Sequence, residues 1–124
     1  MKYGFILSLT LAMTLNTTGL HAENQTTQRI NQFSNTHVNV WKTIVYPTSK
    51  QTLAMHRHDY DRVVVALSDG MLKITNDKGQ THLLKLKKDK AYFLNKDPKN
   101  EQHMDENISQ KPVKVMVIEL LPTH

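Results

Sequence analysis

The chain has 124 residues, no cysteine and a formal charge of +5. That length bounds it to one domain, and the absence of thiols excludes disulfides, thiolate metal ligands and a lipid-modified cysteine. The positive charge is modest and lacks the dense basic stripe with interleaved aromatics of a nucleic-acid surface, so no nucleic-acid partner is expected.

Lys2, the apolar run Gly4 to Leu15 and the small-residue stretch Thr17-Thr18-Gly19-Leu20-His21-Ala22 read as a signal peptide over residues 1–22. Cleavage is expected after Ala22, with Gly19 as the alternative. The run is shorter than the roughly 20 residues that span a bilayer, so no stable membrane anchor is expected. The mature chain is then periplasmic or secreted. Residues 23–37 are polar and read as an N-terminal arm, with Ile30 and Phe33 able to pin it to the body or to a partner subunit.

Residues 38–122 carry the domain. The first strand is expected over Val38–Tyr46, followed by a turn at Pro47-Thr48-Ser49-Lys50 and an extended lead from Gln51 into the histidines. Val63–Leu67 is a strand, and Ser68-Asp69-Gly70 is a turn with glycine where positive φ is expected. Met71–Thr75 and Thr81–Lys87 alternate apolar and polar residues, the mark of half-buried strands. Ala91–Leu94, His103–Asn107 and Val113–Leu121 complete the set, with a polar loop from Asn95 to Gln102. No stretch has a period of 3.6. Seven or eight short strands with frequent turns predict an all-β sandwich or barrel.

The stretch Met55-His56-Arg57-His58-Asp59-Tyr60-Asp61-Arg62 organises the rest. Side chains alternate faces with period two on extended backbone, so His56 and His58 point the same way and can offer two imidazoles to one metal ion. By the same count Tyr60 and Arg62 share that face. With no sulfur ligand available, any metal is held by nitrogen and oxygen. His103 is the candidate third ligand. Asp61 is a possible fourth, and Arg62 and Tyr60 are candidate ligand-binding residues. On this count Val63, Val65 and Leu67 face the other way and need cover, which a second subunit would supply.

At these residues the chain resembles the cupin family. The family's first motif reads here as His56-x-His58, then Arg62 where a Glu ligand is usual, the apolar run Val63–Leu67 and Gly70. The second reads Pro98-x-Asn100-x-x-His103-x-x-x-Asn107, with Asn100 where the family has glycine. Asparagine tolerates the left-handed conformation, so that exchange is mild. The resemblance implies a jelly-roll barrel holding a divalent metal, such as Mn, Fe, Ni or Zn, near its mouth. It also implies a small-molecule ligand and, if the protein is an enzyme, oxygenase, isomerase or decarboxylase chemistry, among which no residue selects.

Two other pictures fit the same residues. Arg62 is always charged and only donates, so it cannot ligate a metal. It could instead anchor an anionic ligand in a metal-free binding or sensing protein. Alternatively it pairs with Asp59, Asp61 or Asp105, and the histidines are hydrogen-bonded residues in a shallow mouth.

Overall fold

The computed structural model describes residues 26–48 and 54–123. The expected signal segment lies outside them. Among the described residues no helix is long and apolar enough to cross a membrane.

Eight antiparallel strands form two sheets: β1 (Gln28–Ser34), β2 (Val38–Val45), β3 (Arg62–Ala66), β4 (Gly70–Asn76), β5 (Thr81–Leu86), β6 (Ala91–Leu94), β7 (His103–Asn107) and β8 (Val113–Leu120). The larger sheet has the order β1-β2-β8-β3-β6 and the smaller β5-β4-β7. Strand β1 corrects the reading of residues 23–37 as an arm. Its sequence, Gln-Arg-Ile-Asn-Gln-Phe-Ser, has no apolar alternation because all seven residues are exposed. What holds it is a backbone ladder to β2, from Gln28 opposite Ile44 to Ser34 opposite Asn39, with a register shift between Asn31 and Phe33.

The core lies between the sheets. Trp41 and Val45 of β2, Val64 and Ala66 of β3, Leu72 of β4, Leu86 of β5 and Val113, Val115 and Val117 of β8 are all buried there. The period of two sends alternate residues of β3 and β8 inward. Val63 and Val65 therefore face outward, as expected. On that outer face Phe33, Val40, Ile118, Val63 and Phe93 are directly opposite one another in turn across all five strands. The adjoining row is Ile30, Lys42, Met116, Val65 and Ala91. Phe33 and Phe93, at its two ends, are 58% and 57% exposed.

Three turn residues show which local requirement was met. Asn100 has φ of 62°, so asparagine does take the left-handed conformation where the second motif usually has glycine. Gly79 has φ of 80° and closes the β4–β5 hairpin, where Asn76 Oδ1 accepts the backbone N–H groups of Lys78 and Gln80. Gly70 departs from expectation: its φ is not in the left-handed region, and a Cβ there would overlap Val113 Cγ2. Glycine is needed at residue 70 for close approach of the chain, not for turn geometry.

Candidate metal centre

His56 and His103 face each other across an isolated antiparallel bridge. The His56 N–H donates to His103 O and the His103 N–H to His56 O, each at 2.8 Å. Reciprocal bonds of this kind fix two side chains on the same side of the ladder. His58 follows two residues later and its ring joins them. Ring centroids are 4.5 Å apart for His56 and His103, 5.0 Å for His56 and His58, and 5.3 Å for His58 and His103. One ligating nitrogen from each of the three lies within 4.8 Å of the others.

Two carboxylates outside the expected set hold these rings. Asp97 Oδ2 lies 3.0 Å from His103 Nδ1 and accepts the His58 backbone N–H at 2.7 Å. Asp105 Oδ2 lies 3.4 Å from His56 Nε2, and its Oδ1 lies 3.5 Å from His103 Nε2. His56 Nδ1 is 3.3 Å from Ala54 O. In both rings Nδ1 lies beside an acceptor oxygen, Asp97 Oδ2 for His103 and Ala54 O for His56, and Nε2 lies beside Asp105. An outer partner on the far ring nitrogen is the usual way a ligating imidazole has its tautomer set. Such partners are set by three-dimensional contact, so Asp97, an acid in a polar loop, gave no signal in the sequence.

The residue between the two histidines is equally engaged. The Arg57 guanidinium donates to the carbonyls of Pro98, Glu101 and Asp97 and pairs with Asp59 at 2.6 Å. It thereby ties the loop carrying Asp97 to the segment carrying His56 and His58.

Burial, reinforced by the positive charge of Arg62, pushes His58 down to about 4, and burial also lowers His103. His56 moves the other way, raised by its hydrogen bond to Asp105 against the effect of burial. Burial alone would raise Asp105, but the hydrogen bond from His56 and the nearby imidazoles outweigh it and hold the carboxyl below its ordinary value. At neutral pH two unprotonated imidazoles thus sit beside a third and an ionised carboxylate. That donor set, nitrogen and oxygen with no sulfur, suits a divalent first-row metal.

Of the other residues expected at the site, Arg62 is buried and donates to Asn95 O at 3.2 Å. Burial lowers its pKa, and the charges of Asp97, Asp105, Glu119 and Asp61 oppose that shift. Asp61 does not join the histidines. Its Oδ1 accepts the Lys96 N–H, and the carboxylates at the imidazoles are Asp97 and Asp105. Tyr60 is exposed at a bend. Strict alternation fails there because residues 57–61 lack ladder partners and the segment is not strand until Arg62.

Next to the histidines a cavity of about 440 Å³ opens between the sheets. Its walls are mainly apolar, with Trp41, Val64, Leu72, Leu84, Val115 and Val117 among them; His56, His58, Arg62, Asp105 and Glu119 supply the polar and charged part. Thr26, Thr27 and Arg29 also line it, and the Arg29 guanidinium lies 3.6 Å from the centroid of the Trp41 ring. A cation over an indole face is attracted by the ring quadrupole. A second cavity of about 350 Å³ also touches Arg62, and its lining includes His103, Asn76, Gln80, Asn95 and Glu101.

No family model matches the chain, and no curated protein matches it. Solved structures do. A cupin domain from Bordetella pertussis Tohama I superposes with a TM-score of 0.66 at 21% identity, covering 81% of this chain and 98% of that one. An RmlC-like cupin family protein with a double-stranded β-helix fold from Methanocaldococcus jannaschii gives 0.57 at 12% identity, covering 77% and 81%. The Cupin_2 domain of an XRE family transcriptional regulator from Enterobacter cloacae gives 0.56 at 21% identity, covering 80% and 100%. The chain is a single all-β domain with the double-stranded β-helix fold of these cupin structures. Within that fold it carries a three-histidine cluster that could hold a metal ion.

Proposed function

We propose that this chain is an exported small-molecule-binding protein whose barrel holds a divalent metal on His56, His58 and His103. The observation that carries this reading is the convergence of three ligating nitrogens, from two distant segments, within 4.8 Å. Three imidazoles with an adjacent open cavity are the arrangement in which a metal keeps a position for a ligand. Asp105 is the carboxylate placed to complete the set, since it already touches the Nε2 atoms of two of the rings. Bound metal would supply Lewis-acid polarisation or a site for oxygen chemistry. The chain's own residues would orient the ligand: apolar walls around its body, and Arg62 for an anionic group. Export rests on the leader-like sequence of residues 1–22.

The test is metal content by mass spectrometry. Protein purified without chelator and supplied with Mn, Fe, Ni and Zn is expected to carry near-stoichiometric metal, and His58→Ala is expected to lose it. Absence of metal from both removes this reading. The alternative that then stands is a metal-free protein anchoring an anionic ligand through Arg62, favoured by the burial of that guanidinium against the cavity.

The same reading includes a homodimer. The outer face of the larger sheet supports it: an apolar row runs across five strands, and Phe33 and Phe93 at its ends are more than half exposed. Two such sheets can stack face to face at about 10 Å, which would cover Phe33, Val63 and Phe93 in both copies.

A further inference from the structure

Glu119 continues the inward-facing series Val113, Val115 and Val117 on β8. An acid at the next inward position breaks an otherwise apolar stripe. Its Cα is directly opposite that of Arg62 across the β3–β8 ladder, and both side chains line the 440 Å³ cavity. Glu119 does not close onto Arg62 as an ion pair, although its charge is felt there. The other charged groups of this wall are engaged. Asp105 touches two imidazoles, Arg57 holds the loop, Arg62 donates to Asn95 O, and Arg29 lies on Trp41. Among the described residues, the Glu119 carboxylate makes neither a hydrogen bond nor an ion pair. A part-buried carboxylate that lines a cavity without a protein donor takes its hydrogen bonds from water or from a ligand that replaces that water.

We propose that Glu119 selects the ligand of this cavity, which is a small molecule with an apolar body, an oxygen-bearing end toward the imidazoles and a hydrogen-bond donor set against the Glu119 carboxylate. The inference deepens the small-molecule reading of the same cavity. The donor can be a hydroxyl or an ammonium group, since both present a hydrogen to a carboxylate. A ligand without one leaves the carboxylate desolvated and unmatched, and a site built for a donor discriminates strongly against its absence. If Glu119 serves only to offset the charge of Arg62, the presence of a donor on the ligand makes no difference.

Three matched benzoates separate these cases by calorimetry: 4-methylbenzoate, 4-(hydroxymethyl)benzoate and 4-(aminomethyl)benzoate, each titrated into full-length protein with and without metal. At least one donor-bearing compound is expected to bind about tenfold more tightly than 4-methylbenzoate. The hydroxyl and ammonium arms show whether a neutral or a charged donor is preferred. In Glu119→Gln the advantage of the ammonium compound is expected to fall to within about twofold, while metal content stays unchanged. Equal binding of all three, tighter binding of 4-methylbenzoate, no binding at all, or an unaltered preference in the variant overturns the proposal. The ranking in the wild-type protein decides the matter even if the variant fails to fold. Metal loading is read separately. A donor preference in metal-free protein upholds Glu119 while the metal reading falls, and loaded metal without a preference does the reverse.

Discussion

His56 and His103 are joined by two reciprocal backbone hydrogen bonds of 2.8 Å, so the first and third candidate ligands are set opposite one another by main chain before any metal arrives. Their rings share Asp105, one Nε2 facing each carboxylate oxygen. This arrangement gives the site its pH response. Metal binding requires unprotonated imidazoles. His58, at about 4, and His103, lowered by burial, meet that condition in mildly acidic solution, whereas His56 is raised above 6.5 by Asp105. Metal affinity is expected to fall as pH drops through the His56 value, with a slope of one proton per metal until His103 also begins to take up a proton. Chelator competition across that range measures the slope, and two or more protons would contradict the assignment. Without metal the signs divide. His58 has a depressed value, so stability is full above 6.5 and is lost as pH falls toward 4, because the unfolded chain takes up the proton first. His56 has a raised value, so its contribution is present below 6.5 and is lost as pH rises through that value.

Asp97 holds the site from outside. Its Oδ2 meets both His103 Nδ1 and the His58 N–H. Asp97→Ala is expected to weaken metal binding by about 10- to 100-fold, the usual effect of losing an outer partner. Asp97→Asn keeps the shape and an acceptor oxygen and should lose less. Competition with a coloured chelator distinguishes the two, and equal losses would mean that charge matters more than orientation.

Asn107, which closes the second sequence motif, acts in folding. It is buried, its Nδ2 donates to Val45 O at 2.9 Å and to Lys111 O at 2.7 Å, and its Oδ1 accepts the Ser109 N–H at 2.8 Å. Asn107→Ala strands two carbonyls and an amide and is expected to cost about 2–4 kcal/mol in urea unfolding. Metal content per folded molecule should not change. A loss of metal without a loss of stability would place this residue in the site instead.

Gly70→Ala is expected to destabilise by about 1–3 kcal/mol, because the new methyl meets Val113 in a filled core. Combining it with Val113→Ala should recover part of that cost, a coupling that a double-mutant cycle reads directly. Strict additivity would show that the strain lies elsewhere.

The outer sheet face predicts the oligomeric state. Light scattering at tens of micromolar is expected to give twice the mass of one chain, and Val63→Lys, in the middle of the apolar row, is expected to give the mass of one. A monomeric wild-type protein ends the dimer proposal.

The parts of this molecule that were legible in the sequence are those in which burial imposes a period. Val113, Val115 and Val117 announce β8, and Leu84 and Leu86 announce β5, because one face of each strand is in the core. The three histidines were legible through motif spacing, and Asn100 through the one conformation that asparagine shares with glycine. Strand β1 was hidden because a strand exposed on all its residues leaves no hydrophobic pattern, its ladder being made of backbone alone. Asp97 and Glu119 were hidden for a different reason, and Asp105 was named only as a partner for Arg62. An acid in a polar loop or on a polar stretch of strand has the same local context whether it faces water or an imidazole. Counting by twos put Tyr60 on the face of the histidines, but that count assumes a ladder that residues 57–61 do not have.

Strand β1 and the two threonines before it help enclose the chamber beside the histidines. A chain trimmed to begin at Val38 would still hold the three imidazoles of the site, their acidic neighbours and the inner stripe of the last strand, yet one side of its chamber would stand open. The wall of the chamber supplied by Thr26, Thr27 and Arg29 thus lies outside the segment that carries the imidazoles.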